Sequence, residues 1–325
     1  MNKNIKLIIN YFLGPLLFIF LSWSLYKQIT HQPDLPERWN QIKHSWQQGM
    51  FWIVFFLMFI NWGIESRKWQ LQVAPLEKLH FLTAVKSVLS GCSITMLTPN
   101  RIGEYGGRIM YIKEENRLKA ISLTILGSIS QLAVTLIIGT VGLLYLKYVA
   151  HAGEVNADQA WFLHNLILYV SIAVTVILLI IYFRLHLFIQ LVSRISFLKS
   201  FVKHIEVVDV FSGKQLLRIL FLSFFRYMVF ILQYMLLLRV MQVNIPVVLC
   251  FCLLALFYLV MAIAPTIGFT ELPVRATASA AILGLYSDNL LGMQAATFGI
   301  WLINLVVPAI MGSVFILGIK IMKER

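Results

Sequence analysis

Apolar residues along this chain run in long blocks, and polar residues gather in the gaps between them. Blocks near 7–26, 49–66, 119–147, 164–184, 216–238 and 293–319 are each long enough to cross ~30 Å of hydrocarbon as a helix. Two further apolar segments, near 81–98 and 246–264, stop at a proline and a glycine-bearing loop. Each is followed by a shorter predicted helix, near 104–116 and 271–286. The stretch 186–212 has another character. Leu187, Leu191, Ile195, Leu198, Val202 and Ile205 keep helical spacing while Arg194, Lys199 and Lys203 interrupt them. That pattern predicts an amphipathic helix lying in the membrane interface, with an ordinary cytoplasmic loop helix as the alternative.

Composition turns this pattern into a class. Of 325 residues, 59% are hydrophobic and 13% charged, where a soluble domain carries about 25% charged residues; the mean hydropathy is +0.81. The expectation is an all-α integral membrane protein, a polytopic helical bundle forming one transmembrane domain over 1–325. Lys3 and Lys6 precede the first block as in a signal peptide, but Trp23, Leu25 and Tyr26 stand where small residues would mark cleavage. A retained span is expected. Cys92, Cys250 and Cys252 all lie in apolar runs, which points to packing rather than metal or disulfide chemistry.

The net charge of +13 arises from Lys and Arg in short loops, so it speaks for membrane orientation and against nucleic acid. With a cytoplasmic N-terminus and both Pro/Gly segments re-entrant, 17 loop bases fall inside and 5 outside, and five lie in membrane segments. The chain is thus expected in a bacterial inner membrane with both termini cytoplasmic. The alternative topology has 246–264 and 271–286 both crossing.

A weak internal repeat carries the candidate chemistry. The first copy places Pro99, Arg101, Gly103, Glu104 and Arg108 after an apolar segment, and the second places Pro265, Gly268, Glu271 and Arg275 after another. Each has Pro, Gly, Glu and then an Arg four residues beyond the Glu. The flanking spans run in opposite senses, giving an inverted repeat of about 49–147 and 216–319. Paired Gly/Pro-interrupted segments of this kind point to a transport site. Glu and Arg at i, i+4 share a helix face and can neutralise one another, and the proline and glycine breaks need protein or a watery cavity around them. Ordinary interfacial loops with capping charges are the alternative.

Arg226 sits in mid-span with Gln233 seven residues on. A functional cation is the default for such a residue, and a structural pair with Glu104 or Glu271 is the alternative. Thr124, Ser128, Gln131 and Thr135 make a polar stripe, as do Thr297 and Asn304 in the last span, where Pro308 marks a kink. Helix–helix hydrogen bonding is the other reading of these groups. No P-loop, metal-spaced His/Cys cluster or Gly-x-Ser-x-Gly occurs, and His204 with Asp209 lacks a phosphate-binding glycine run. No enzyme activity and no cofactor are expected.

At Asn61, Trp62, Gly63 and Glu65, at Thr98 to Glu104 with Arg108, and at Pro265, Gly268 and Glu271, the chain resembles the transmembrane-region family of lysylphosphatidylglycerol synthases. The resemblance runs from about residue 50. Asn100 stands where the family usually has Gly, and the second motif lacks the family's usual Gly-Gly-x-Gly run. The resemblance implies a lipid-handling domain that moves lipid to the outer leaflet. No synthase domain follows the last span here, so aminoacyl transfer is not expected, and a polyprenyl- or glycolipid cargo stands beside a charged phospholipid.

The expected function is lipid flipping. Arg101, Arg108 and Arg275 would contact phosphate, Arg226 would act midway, and Glu104 and Glu271 would hold the arginines or take a cationic headgroup. Gln131, Gln233 and Asn304 would line the cavity. Expected partners are membrane lipids with anionic headgroups, a second copy of the chain, or an envelope enzyme. A small-solute or ion-coupled secondary transporter and a non-transporting accessory subunit are the alternatives.

Overall fold

Hydrocarbon offers a backbone no partner but itself, which leaves helices as the economical answer for these apolar blocks. The computed structural model describes residues 35–96, 98, 102–149, 158–184, 206–264 and 271–323, with three isolated positions before residue 35. Among the described residues there is no strand. The helices are α1 (Leu35–Lys43), α2 (Gly49–Val73), α3 (Phe81–Met96), α4 (Gly103–Ile109), α5 (Arg117–Tyr148), α6 (Asp158–Phe183), α7 (Gly213–Val240), α8 (Val247–Ile263), α9 (Glu271–Leu283), α10 (Leu290–Trp301) and α11 (Val307–Lys323). Among the described residues five stretches, Gly49–Val73, Glu114–Tyr148, Asn165–Phe183, Gly213–Val240 and Leu290–Gly318, are long and apolar enough to cross a membrane. The chain is a multi-pass helical membrane protein. All of the expected span at 7–26 except Trp23 and Tyr26, and most of the interfacial stretch 186–212, lie outside the described residues; within the latter, Glu206–Val210 is a 3-10 turn.

Two boundaries and one internal turn differ from the sequence expectation, each for a local reason. Helix α2 continues past 66 to Val73, because Glu65 and Lys68 are buried and pair with each other instead of ending the span. Pro75 follows the helix, and the amides of Leu76 and Glu77 both donate to Val73 O, closing the turn. The helix expected at 104–116 stops at Ile109. Glu77 accepts from the Lys113 amide at 3.4 Å and from Asn116 Nδ2 at 3.2 Å, which pins a 3-10 turn at Glu114–Asn116 ahead of α5. In the last span, Leu302–Val306 winds as a π-helix just before Pro308. Pro308 has no amide to donate and its ring crowds the carbonyl four residues back, so a widened turn there relieves the helix.

Packing pairs the helices across the two halves of the chain. Helix α2 lies along α7, while α3 packs on α4 within its own half and on α11 of the other. Helix α8 packs on α5 in return, and α9 on α8 and α10. Two of these contacts need glycine. A Cβ at Gly107 would lie 2.4 Å from Gly91 Cα, and one at Gly312 would lie 1.9 Å from Leu89 O, so α4 and α11 press their backbones onto α3. One apolar core forms around Met58, Leu237, Leu254 and Phe257. A second forms around Trp69, Leu123, Tyr182 and Ile219. The side chains described next lie beside these cores.

Candidate functional site: a buried ion cluster

Helix α2 presents Asn61, Glu65, Lys68 and Gln72 at helical spacing, and all four are buried. Glu65 is the hub. Its carboxylate takes Lys68 Nζ at 2.8 Å, Arg108 Nη2 at 2.6 Å and Arg226 Nη1 at 3.1 Å. Arg108 comes from α4, whose backbone contact with α3 fixes it, and Arg226 comes from the middle of α7. One carboxylate therefore ties three helices together.

Each arginine is held further. Arg108 Nη2 also donates to Glu104, one turn back on α4, and its guanidinium lies 5.2 Å from the Trp69 ring centroid. Trp69 Nε1 donates to Ser87 Oγ, which in turn donates to the Arg108 carbonyl. Arg226 Nε donates to Asn61 Oδ1 at 2.9 Å, and its Nη1 donates to Gln131 Oε1 at 3.4 Å. The guanidinium also faces Trp62 and Phe230 at 5.3 and 5.2 Å, where the ring quadrupoles favour the cation. Arg226 thus pairs with Glu65 rather than with Glu104 or Glu271. Helix α7 lays its Arg226 face along α2, and no sequence spacing announces that neighbour.

The second Glu–Arg pair repeats the first locally. Arg275 meets Glu271 Oε1 through Nη2 at 2.8 Å and Nε at 2.9 Å, both on α9. Gln233 on α7 donates to Val54 O at 2.9 Å and so also faces α2. Asn304 is buried in the π-helical turn, and neither atom of its amide has a hydrogen-bond partner. The stripe on α5 divides. Thr124, Ser128 and Thr135 donate to carbonyls four residues back on their own helix, and only Gln131 reaches the cluster. Thr297 joins three helices instead, donating to Ser279 Oγ and lying 2.6 Å from Tyr234 Oη. Gly103 donates its amide to Thr98 Oγ1 at 2.7 Å and starts α4. Pro99, Arg101, Pro265 and Gly268 lie outside the described residues.

Lys68 lies just beyond the span expected at 49–66, where the charge count takes it as a cytoplasmic loop base; in the fold it is 1% exposed and belongs to the ion cluster. Glu65 enters the sequence reading only through a family motif, yet it is the centre of the site. The signal that finds both is the polar spacing 61, 65, 68, 72 on one face, flanked by Trp62 and Trp69. Chemically, the arrangement is a set of guanidinium and ammonium groups held at fixed orientation by shared carboxylates and aromatic faces, suited to binding an oxyanion.

Among curated proteins and among solved structures, none matches the chain. A family profile does match, over residues 11–312, covering α1 through α10 and the start of α11 together with both Glu–Arg pairs and the Glu65 hub. On that match the chain belongs to the lysylphosphatidylglycerol synthase TM region family.

Proposed function

We propose that this protein moves a lipid with a charged headgroup, a phospholipid or a polyprenyl- or glycolipid, between the leaflets of a bacterial inner membrane. The observation that carries the proposal is the cluster of Glu65, Lys68, Arg108 and Arg226, buried between membrane-spanning helices of a lipid-handling family. Ionised groups at such depth are costly, and their presence marks a path for a polar group. In this reading the headgroup phosphate exchanges with carboxylate oxygens on Arg108 and Arg226 while its tails stay in the bilayer. Gln131, Gln233, Asn304 and the Glu271–Arg275 pair offer further polar steps, and no covalent chemistry is involved.

The same proposal takes the two halves, about 49–147 and 216–319, as an inverted repeat with re-entrant hairpins at α3–α4 and α8–α9. The reciprocal packing of α3 on α11 and of α8 on α5 supports it, since a two-fold exchange of the halves carries one contact into the other. The basic loops then put both termini in the cytoplasm. In a background lacking Cys92, Cys250 and Cys252, a cysteine at Asn244 is expected to react with an impermeant thiol reagent from outside, and one at Glu115 only after permeabilisation. The reverse pattern, or labelling of both from one side, contradicts the repeat.

The function is tested with purified protein in liposomes that carry headgroup-labelled phosphatidylglycerol. An impermeant quencher is expected to reach the inner-leaflet label progressively with the protein present and not without it. A label that stays protected for every charged lipid tried contradicts flipping.

A further inference from the structure

The charge in the cluster does not balance. Two carboxylates, Glu65 and Glu104, face three cations, Lys68, Arg108 and Arg226, so one positive charge is left over among the described residues. An unmatched charge buried between apolar helices is strongly disfavoured. Either an anion enters the cluster or a proton leaves it, and there is a place for each event.

The anion's place is marked by donors without acceptors. Asn61 Nδ2, Trp62 Nε1 and Arg108 Nε are buried and have no hydrogen-bond partner. Asn61 is 0% and Arg108 2% exposed. The other groups of Asn61 and Trp62 already hold Arg226, so two of these donors belong to side chains in contact with one cation of the cluster and the third to Arg108 itself. A buried donor without an acceptor is itself costly, and three of them beside an excess positive charge suit one oxyanion.

The proton's place is Lys68. Arginine keeps its proton under any ordinary condition, and further protonation of the carboxylates would only add positive charge. Lys68 Nζ has one close acceptor, Glu65 at 2.8 Å, and two long ones, Ser223 Oγ at 3.4 Å and Gly127 O at 3.5 Å. The charged groups facing it are Glu65 from its own helix, Arg108 and Glu104 from α4, and Arg226 from α7. Helix α5 faces it with a carbonyl, and its bases Arg117, Lys119 and Lys147 sit at its ends. On α3, Lys86 lies over Phe315 instead. Lys68 therefore shares a single carboxylate with two permanent cations, and loss of its proton restores neutrality when no anion is present.

We infer that the cluster binds one singly charged oxyanion together with one proton on Lys68. The oxyanion is the phosphodiester of a lipid headgroup or a free phosphodiester in solution. The neutral amine takes a proton from solvent and becomes an ammonium as the anion arrives, so the loaded and empty clusters carry the same charge. The inference rests on the flippase reading only for the anion's origin in a lipid; it gives that reading a means of coupling to a proton gradient.

The test is calorimetric titration of the full chain in detergent with dihexanoyl-phosphatidylglycerol and, separately, with dimethyl phosphate, in two buffers of different ionisation enthalpy. Neither probe titrates near neutral pH. Uptake approaching one proton per bound anion is expected over the pH range in which the Lys68 amine is neutral without the anion and charged with it. The Kd should weaken about tenfold per pH unit there, because the empty site is deprotonated and the filled one is not. Lys68→Arg is expected to bind without proton uptake and without that slope. Binding with no proton uptake in the native protein, an unchanged slope in Lys68→Arg, or no binding of either probe overturns the inference. The native-protein measurement decides it even where Lys68→Arg does not fold. Proton-linked binding of dimethyl phosphate alone, or of the lipid without flipping in liposomes, sustains the inference and removes the flippase reading.

Discussion

Glu65→Gln is expected to be the most damaging single substitution in this chain. One carboxylate answers Lys68, Arg108 and Arg226 at 2.8, 2.6 and 3.1 Å, inside apolar packing. The amide keeps the shape and removes the charge, leaving Arg108 and Arg226 against Glu104 alone and the Lys68 amine without its carboxylate partner. Breaking a buried pair by removing one partner costs about 3–5 kcal/mol, a large part of a domain's whole stability. The expected outcome is loss of monodisperse protein in detergent and a large fall in the thermal midpoint. Glu104→Gln is expected to be milder, since that side chain is 27% exposed and serves only Arg108 within the cluster. Glu65→Gln combined with Lys68→Met, which also removes the buried amine that loses its carboxylate partner, should recover part of the loss. Thermal unfolding of the three variants checks this ordering. Equal midpoints for Glu65→Gln and the native protein would mean that water, not Glu65, solvates the cations.

The second large effect is expected in transport rather than folding, from Arg226→Lys. Lysine retains the positive charge near Glu65, so the helices should still assemble. It loses the planar fork that bonds Asn61 Oδ1 through Nε and Gln131 Oε1 through Nη1, and with it the flat contact over Trp62 and Phe230. A charge-assisted hydrogen bond contributes about 1.5–3 kcal/mol, so losing one at the step where phosphate passes should slow flipping about ten- to a hundredfold. The fold readout, chromatographic profile and thermal midpoint, should move little. A fall in both together would mark Arg226 as a structural partner of Glu65 and nothing more.

Much of the architecture is legible from residue order alone, because membrane helices follow from runs of apolar side chains and little else competes with them. Glu104 with Arg108, and Glu271 with Arg275, are equally legible, since one helical turn brings each pair together whatever surrounds them. What escapes is everything set by the third dimension. Asn61 and Arg226 lie 165 residues apart, and only the packing of α7 on α2 joins them. Lys68 looks like a loop cation to any averaged hydropathy, because the average ends the span at Glu65, where mutual neutralisation lets the helix continue to Val73. The stripe on α5 shows the opposite error. Thr124, Ser128 and Thr135 form a line along the sequence but satisfy their own backbone, as short hydroxyl side chains in helices commonly do. The contact of Gly312 with Leu89 O is invisible in sequence for the same reason as the Arg226 pairing.

The claim that a lipid headgroup crosses at the Glu65 cluster is tested most directly by a side-by-side flipping rate. Native protein and Arg226→Lys are reconstituted at equal density in liposomes with headgroup-labelled phosphatidylglycerol, and loss of inner-leaflet label to an impermeant quencher is followed in time. A progressive loss is expected with native protein, about ten- to a hundredfold slower with Arg226→Lys, at matched folding. Equal rates for the two proteins, or no protein-dependent loss with either, would contradict it.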